Sequence, residues 1–141
     1  MVQLEAEEIM RLTVKVADPK IVSTTGCDRL QVIPIIGGTF TGKKIHGKVV
    51  PGGADWNTTQ SDGISHVFAK YLLETDDGEF ITIENEGLLG AESETRIKTK
   101  PVFRADATGQ YSHLNYGVYV GELMATPNVA NSVDIVIYKL R

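Results

Sequence analysis

Ile64-Ser65-His66-Val67-Phe68-Ala69-Lys70-Tyr71-Leu72-Leu73-Glu74-Thr75, then Asp76-Asp77-Gly78, then Phe80-Ile81-Thr82-Ile83-Glu84-Asn85, is the stretch that decides the fold. Two runs rich in β-branched and aromatic residues flank an Asp-Gly dipeptide, one of the strongest local signals for an antiparallel hairpin. Read with Asp77-Gly78 as a two-residue loop, Asp76 faces Glu79, Leu72 faces Ile83 and Lys70 faces Asn85. Ile81 and Ile83 share one face of the second run, and Thr82, Glu84 and Glu86 the other. Burying the isoleucine face avoids an unpaired carboxylate in an apolar interior. On this register His66, Phe68, Lys70, Leu72 and Asn85 point inward, and Val67, Ala69, Tyr71 and Leu73 point outward. A three-residue turn would move every residue of the first run to the other face.

The same grammar extends in both directions. Met10, Leu12, Val14 and Val16 alternate with Arg11, Thr13 and Lys15, the period-two pattern of a half-buried strand. Asp18-Pro19 ends it, and Ile21–Ser23 and Leu30–Ile36 read as short strands joined across Thr25-Gly26. Pro34 points to an edge or a bulge. Ile45–Val50 reads as a strand, Pro51-Gly52-Gly53 opens a polar loop reaching Asp62-Gly63, and Ala91-Glu92-Ser93-Glu94 is weakly helical or loop. Ile97–Phe103, Gly117–Met124 and Val133–Leu140 complete the set. No stretch of ten residues keeps a capped helical period. Many short strands without interleaved helices predict one all-β domain over residues 1–141, a closed antiparallel barrel with little or no helix.

Composition narrows the function classes. The 141 residues carry a net charge of −4 with scattered Lys and Arg, which gives no footprint for nucleic acid or anionic lipid. The single Cys27 excludes an internal disulfide, and no C-x-x-C pair suggests zinc. Glu5, Glu7 and Glu8 interrupt any leader-like apolar run, and no segment has the length to span a bilayer, so a cytoplasmic location is expected. His46, His66 and His113 do not form a metal motif, although His46 and His66 could share a face of neighbouring strands. The glycine groups match no phosphate-binding fingerprint, so no cofactor is implied.

Several segments resemble a known family. They are Pro34-Ile35-Ile36-Gly37-Gly38-Thr39-Phe40, Gly47-Lys48-Val49-Val50-Pro51-Gly52-Gly53-Ala54-Asp55-Trp56, Ala69-Lys70-Tyr71, Thr75-Asp76-Asp77-Gly78, Asn85-Glu86-Gly87-Leu88, Leu114-Asn115 and Val120-Gly121. Together they resemble, in order and over nearly the whole chain, domain-of-unknown-function family 3237, also called uncharacterised protein family 0311. The resemblance implies a small barrel of the allene-oxide-cyclase or calycin-like kind and no settled activity. Asp55, Trp56, Tyr71, Asn85 and Asn115 match the family pattern. Phe68 and Lys70 stand where the family has an acid and an arginine, and Gly87–Thr95 replaces a longer insertion.

These readings converge on a barrel that takes a small, partly apolar organic molecule in its lumen, with isomerisation or cyclisation as the reaction. Eight-stranded barrels can enclose one such ligand. Asp55 is the candidate general acid or base, Lys70 and Asn85 the groups that hold a carbonyl or oxyanion, and Trp56 and Phe68 the stacking surfaces. His66, Tyr71 and Asn115 complete the ligand-binding set. A carrier or sensor of lipocalin type is the first alternative, and a filled structural barrel the second. In the latter, Val67, Ala69, Tyr71 and Leu73 form a homo-oligomer interface.

Overall fold

The computed structural model describes residues 1–24, 28–90 and 96–141. The Thr25-Gly26 connection, Cys27 and the Ala91–Glu94 segment lie outside the described residues. Nine strands make one sheet: β1 (Ala6–Val16), β2 (Lys20–Ser23), β3 (Asp28–Thr41), β4 (His46–Gln60), β5 (Ser65–Thr75), β6 (Phe80–Leu89), β7 (Ile97–Arg104), β8 (Tyr119–Ala125) and β9 (Ser132–Leu140). Their order is β1-β9-β8-β7-β6-β5-β4-β3-β2, and β1 also pairs antiparallel with β3. That second pairing closes eight strands into a barrel and leaves β2 attached only to β3. Among the described residues the one short helical turn is the 3-10 segment Ser112–Asn115 between β7 and β8. Among the described residues no helix is long and apolar enough to cross a membrane.

Closure requires close backbone contact. Along the seam Leu12 faces Phe40, Thr13 faces Thr39 and Val14 faces Gly38. Gly38 has φ +133°, and a Cβ there would lie 2.1 Å from the Thr13 carbonyl oxygen. Only glycine supplies both that torsion and that space.

Two strands run further than expected. β3 continues through Pro34 and Gly37-Gly38, and β4 continues through Pro51-Gly52-Gly53 to Gln60. The reason is shared. Both proline–glycine clusters are bulges inside a continuing ladder, with register shifts between Pro34 and Thr39 and between Val50 and Ala54. Bulges of this sort bend long strands around a small barrel.

The β5–β6 hairpin corrects the sequence reading. Thr75, not Asp76, faces Glu79: the Thr75 N–H donates to Glu79 O at 2.9 Å, and Glu79 N–H donates to Thr75 Oγ1 at 2.9 Å. Asp76-Asp77-Gly78 is thus a three-residue loop, with Gly78 at φ +89° in the left-handed position such loops need. Tyr71 therefore faces Ile83, Ala69 faces Asn85, and Lys70 faces Glu84. Val67, Ala69, Tyr71 and Leu73 line the interior, so they supply no outer face for an oligomer interface. His66, Phe68, Lys70 and Leu72 lie outside.

Burial differs between the two ends. Near the β5–β6 turn the interior is filled by Leu73, Ile81, Ile83, Ile137, Met10 and Val49, none more than 2% exposed. The segment after β7 caps this end: Tyr111 OH donates to Asp77 at 2.9 Å, and Asn115 Oδ1 accepts the Ala105 N–H at 2.7 Å. At the opposite end the inward residues Val16, Ile33, Asn57, Thr59, Ile97, Leu123 and Val133 are only half-buried. The barrel is plugged by packed side chains at one end and only half-buried inside at the other.

Gly38→Ala is expected to destabilise the fold by about 2 kcal/mol or more, combining a disfavoured torsion with a backbone clash at the seam. Chemical denaturation checks this. An unchanged midpoint and slope would mean that the seam is looser than described.

Candidate functional site

The plugged and half-buried ends meet at a polar ring on the inner wall. Asp55 on β4 faces Ala69 on β5, Ala69 faces Asn85 on β6, and Asn85 faces Pro101 on β7. Tyr71 lies one inward position towards the plug on β5. Thr99 lies one inward position towards the mouth on β7, opposite Gly121 on β8. Tyr71, Asn85 and Thr99 are 4%, 3% and 4% exposed. Each has a buried oxygen without a hydrogen-bond partner: Tyr71 Oη, Asn85 Oδ1 and Thr99 Oγ1. Such groups are uncommon in native interiors, because each costs the desolvation of a polar atom.

Small residues make room for this ring. Ala69 separates Asp55 from Asn85 across the sheet. A Cβ on Gly121 would lie 2.3 Å from Thr99 Oγ1 and 3.8 Å from Asn85 Oδ1. The β8 backbone thus runs close under these two oxygens and gives neither a partner.

Asp55 is half-buried and accepts the Phe68 N–H at 2.9 Å. Burial pushes its carboxyl above the usual carboxylate range, against the opposing effects of that hydrogen bond and of His66. Tyr71 is pushed above the ordinary phenol range by burial and then by the Asp55 carboxylate. The Asp55 carboxylate thus bears on Tyr71, its diagonal neighbour on the adjoining strand. A carboxyl with raised affinity for its proton, beside a phenol that stays protonated, is an acid–base pair suited to moving a proton on a bound molecule.

Lys70 is corrected. Its ammonium stands on the outer wall, with the side chain 60% exposed, 3.2 Å from Glu84. The cause is the hairpin register, which places Lys70 opposite Glu84 instead of Asn85. His66 also lies outside, bonded through Nε2 to Glu86 at 2.9 Å, and Phe68 packs beside it at 6.1 Å between ring centroids. Trp56 is 45% exposed and shares an external groove with Gly52, Gly53 and Lys70. Asn115 is used at the plug, where Nδ2 donates to Ala105 O at 2.9 Å. Of the sequence-derived set, Asp55, Tyr71 and Asn85 come together in the lumen, whereas Lys70, Trp56, His66, Phe68 and Asn115 do not.

Thr99 escaped the sequence reading, yet a signal existed. In Ile97-Lys98-Thr99-Lys100-Pro101-Val102-Phe103-Arg104, Lys98, Lys100 and Arg104 mark the outer face, and Thr99 is the lone hydroxyl on the other. His46 and His66 share no site. His46 is at the plugged end, bonded to Asp76, and His66 is near the mouth. Among the described residues no three His, Cys, Asp or Glu side chains are grouped to hold a metal.

Fold and interior define a small closed antiparallel β-barrel protein with a band of polar side chains on its inner wall. The chain belongs to the family described as protein of unknown function (DUF3237), which matches residues 4–140. A UPF0311 protein of Rhodopseudomonas palustris (strain TIE-1) is 33% identical over 122 residues, 80% of each chain. A solved protein of unknown function from Clostridium acetobutylicum superposes with a TM-score of 0.88 at 26% identity, covering 100% of this chain and 99% of that one. A β-barrel-like protein from Acinetobacter baumannii AYE gives 0.86 at 29% identity, covering 100% and 98%.

Two measurements test the polar ring. Tyr71→Phe and Thr99→Val each remove an unpartnered buried oxygen with little change of shape, so each is expected to stabilise the protein by about 1 kcal/mol, or about 3 °C in Tm. Loss of a structural hydrogen bond would move Tm the other way. The second concerns pH. The folded state holds the Asp55 proton more tightly than the unfolded chain does. The contribution of this group to stability is therefore full below about pH 4 and is lost as pH rises through the raised value. Unfolding free energies measured against pH should show that decline relative to Asp55→Asn, and parallel curves would refute it.

Proposed function

We propose that the lumen binds a small, partly apolar, uncharged organic molecule and that Asp55 transfers a proton on it in an isomerisation or cyclisation. One observation carries the reading: three unpartnered oxygens, on Tyr71, Asn85 and Thr99, share with the Asp55 carboxyl the inner wall of the neighbouring strands β4 to β7. Tyr71 Oη and Thr99 Oγ1 can donate to a ligand carbonyl or hydroxyl oxygen, and Asn85 Oδ1 can accept from a ligand hydroxyl. Above them Val16, Ile33, Val67, Leu123 and Val133 offer apolar wall. This mixture of mostly apolar lining and a few convergent polar groups suits a small-molecule site.

The preference for a neutral ligand follows from the charges. At the polar ring no Lys or Arg faces inward among the described residues: Lys70, Lys98 and Lys100 pair with carboxylates on the outer wall, and Arg29, which shares the inner face with Thr59, is exposed at the mouth. An anionic ligand seated on the ring would meet the Asp55 carboxylate with no cation beside it. For the reaction, Asp55 takes a proton from one ligand atom and returns it to another, while Tyr71 holds the oxygen on which negative charge develops. Such a cycle needs no second substrate, because the proton leaves and rejoins the same molecule.

Native mass spectrometry of protein purified from its own host is expected to show one bound organic molecule. Tyr71→Phe should weaken retention of that molecule about tenfold. Asp55→Asn should still bind it and should lose any conversion. Equal retention by wild type and Tyr71→Phe would overturn the lumenal assignment, and unchanged conversion by Asp55→Asn would leave a carrier.

A further inference from the structure

The plugged end carries a cavity that the lumenal reading does not use. It has a volume of about 300 Å³, and its inner surface includes Met10, Ile45, Leu114 and Tyr119. All four are 8% exposed or less, so the floor is a preformed apolar surface. The rim is charged: Lys43 and Lys44 come from the β3–β4 turn, Lys139 and Arg141 from the end of β9, and Glu7 and Glu8 from β1.

The carboxylates are already occupied. Glu8 is bound by Arg11 at 2.7 Å, and Glu7 by the Arg141 guanidinium, with Arg141 Nε to Glu7 Oε2 at 2.7 Å. Among the described residues Lys43, Lys44 and Lys139 have no ion pair, Lys139 standing 6.0 Å over the Tyr116 ring, in a protein whose net charge is −4. The charges of Lys43 and Lys139 both reach the Glu7 side of the cavity. The Glu7 carboxyl is held low chiefly by Arg141, and both Lys43 and Lys139 add to that effect. The Tyr119 hydroxyl is spent on the His113 and Tyr116 carbonyls, at 3.1 Å each, so the floor presents ring and alkyl surface.

We infer that this cavity binds a small organic anion, its carboxylate or sulfonate between Lys43 and Lys139 and its apolar tail on Met10, Ile45 and Leu114. The volume sits at the lower end of the range for small-molecule sites, which suits a tail of about eight carbons and not a two-chain lipid or a folded peptide. This site complements the lumen in charge: one takes an anion, the other a neutral molecule. The two lie at opposite ends of the barrel and are separated by the packed plug.

Octanoate, titrated at about 20 mM salt and followed by amide NMR and calorimetry, tests the assignment. Saturable binding is expected, with shifts at Ile45, Leu114 and Tyr119, weakening several-fold at about 300 mM salt. Neutral 1-octanol and the variant K43Q/K139Q should each lower affinity about tenfold. K43R/K139R should retain binding, which separates loss of charge from loss of fold. Absence of saturable binding, equal affinity for 1-octanol, unchanged affinity in K43Q/K139Q, or shifts confined to Val67, Ala69 and Thr99 would each overturn the inference. The last of these outcomes would move the anion into the lumen and so contradict the neutral-ligand reading separately.

Discussion

The Thr75 hydroxyl holds the β5–β6 hairpin in the one register that lets this barrel have a site. It accepts the Glu79 N–H and donates to Asp77, whose carboxylate also receives the Tyr111 phenol. A side chain 3% exposed is thus fully bonded within the turn. Because side chains alternate strictly along a strand, a slip of one residue would exchange Tyr71 for Lys70 and Ala69 for Phe68 on the inner wall. The lumen would then hold an ammonium and a benzyl group where it now holds a phenol and a methyl. Space beside Asn85 exists because Ala69 is the residue this register places there.

The barrel divides its interior between two tasks. Around the plug, Leu73, Ile81, Ile83 and Ile137 are fully excluded from water, and burial of such side chains contributes about 1.5–3 kcal/mol each. That half can carry the fold. The other half leaves Tyr71 Oη, Asn85 Oδ1 and Thr99 Oγ1 without partners, each costing about 1–3 kcal/mol, and keeps its apolar wall half exposed. Destabilising groups gathered in one place, opposite a well-packed core, fit a site whose hydrogen bonds are completed by a ligand.

The outer wall carries two of the places where the chain departs from the pattern it resembles. Phe68 and Lys70 both face outward beside the His66–Glu86 and Lys70–Glu84 pairs. Exposed pairs of this kind contribute little to stability, typically below about 1 kcal/mol. Substitution there changes the surface and leaves Asp55, Tyr71 and Asn85 in place. Positions 68 and 70 therefore put no side chain on the inner wall of this chain.

Sequence alone determined that the chain is a barrel of antiparallel strands and that Ile81, Ile83 and Asn85 share an inner face; Asp55, read as part of a polar loop, was put beside them only by the bulge that carries β4 past Pro51-Gly52-Gly53. Period-two alternation and turn chemistry are local properties, legible wherever one face is plainly charged. It also contained, unread, the evidence against an inward Lys70: His66, Lys70 and Glu74 mark one face of β5, and Val67, Ala69, Tyr71 and Leu73 the other. Tertiary structure decided the rest. Whether Asp-Gly closes a two- or three-residue loop depends on what the Thr75 hydroxyl and Asp77 can reach, including Tyr111, which lies 34 residues from Asp77. Which end is plugged, and which oxygens are left without partners, depends on how eight strands close, a long-range property that no short stretch encodes.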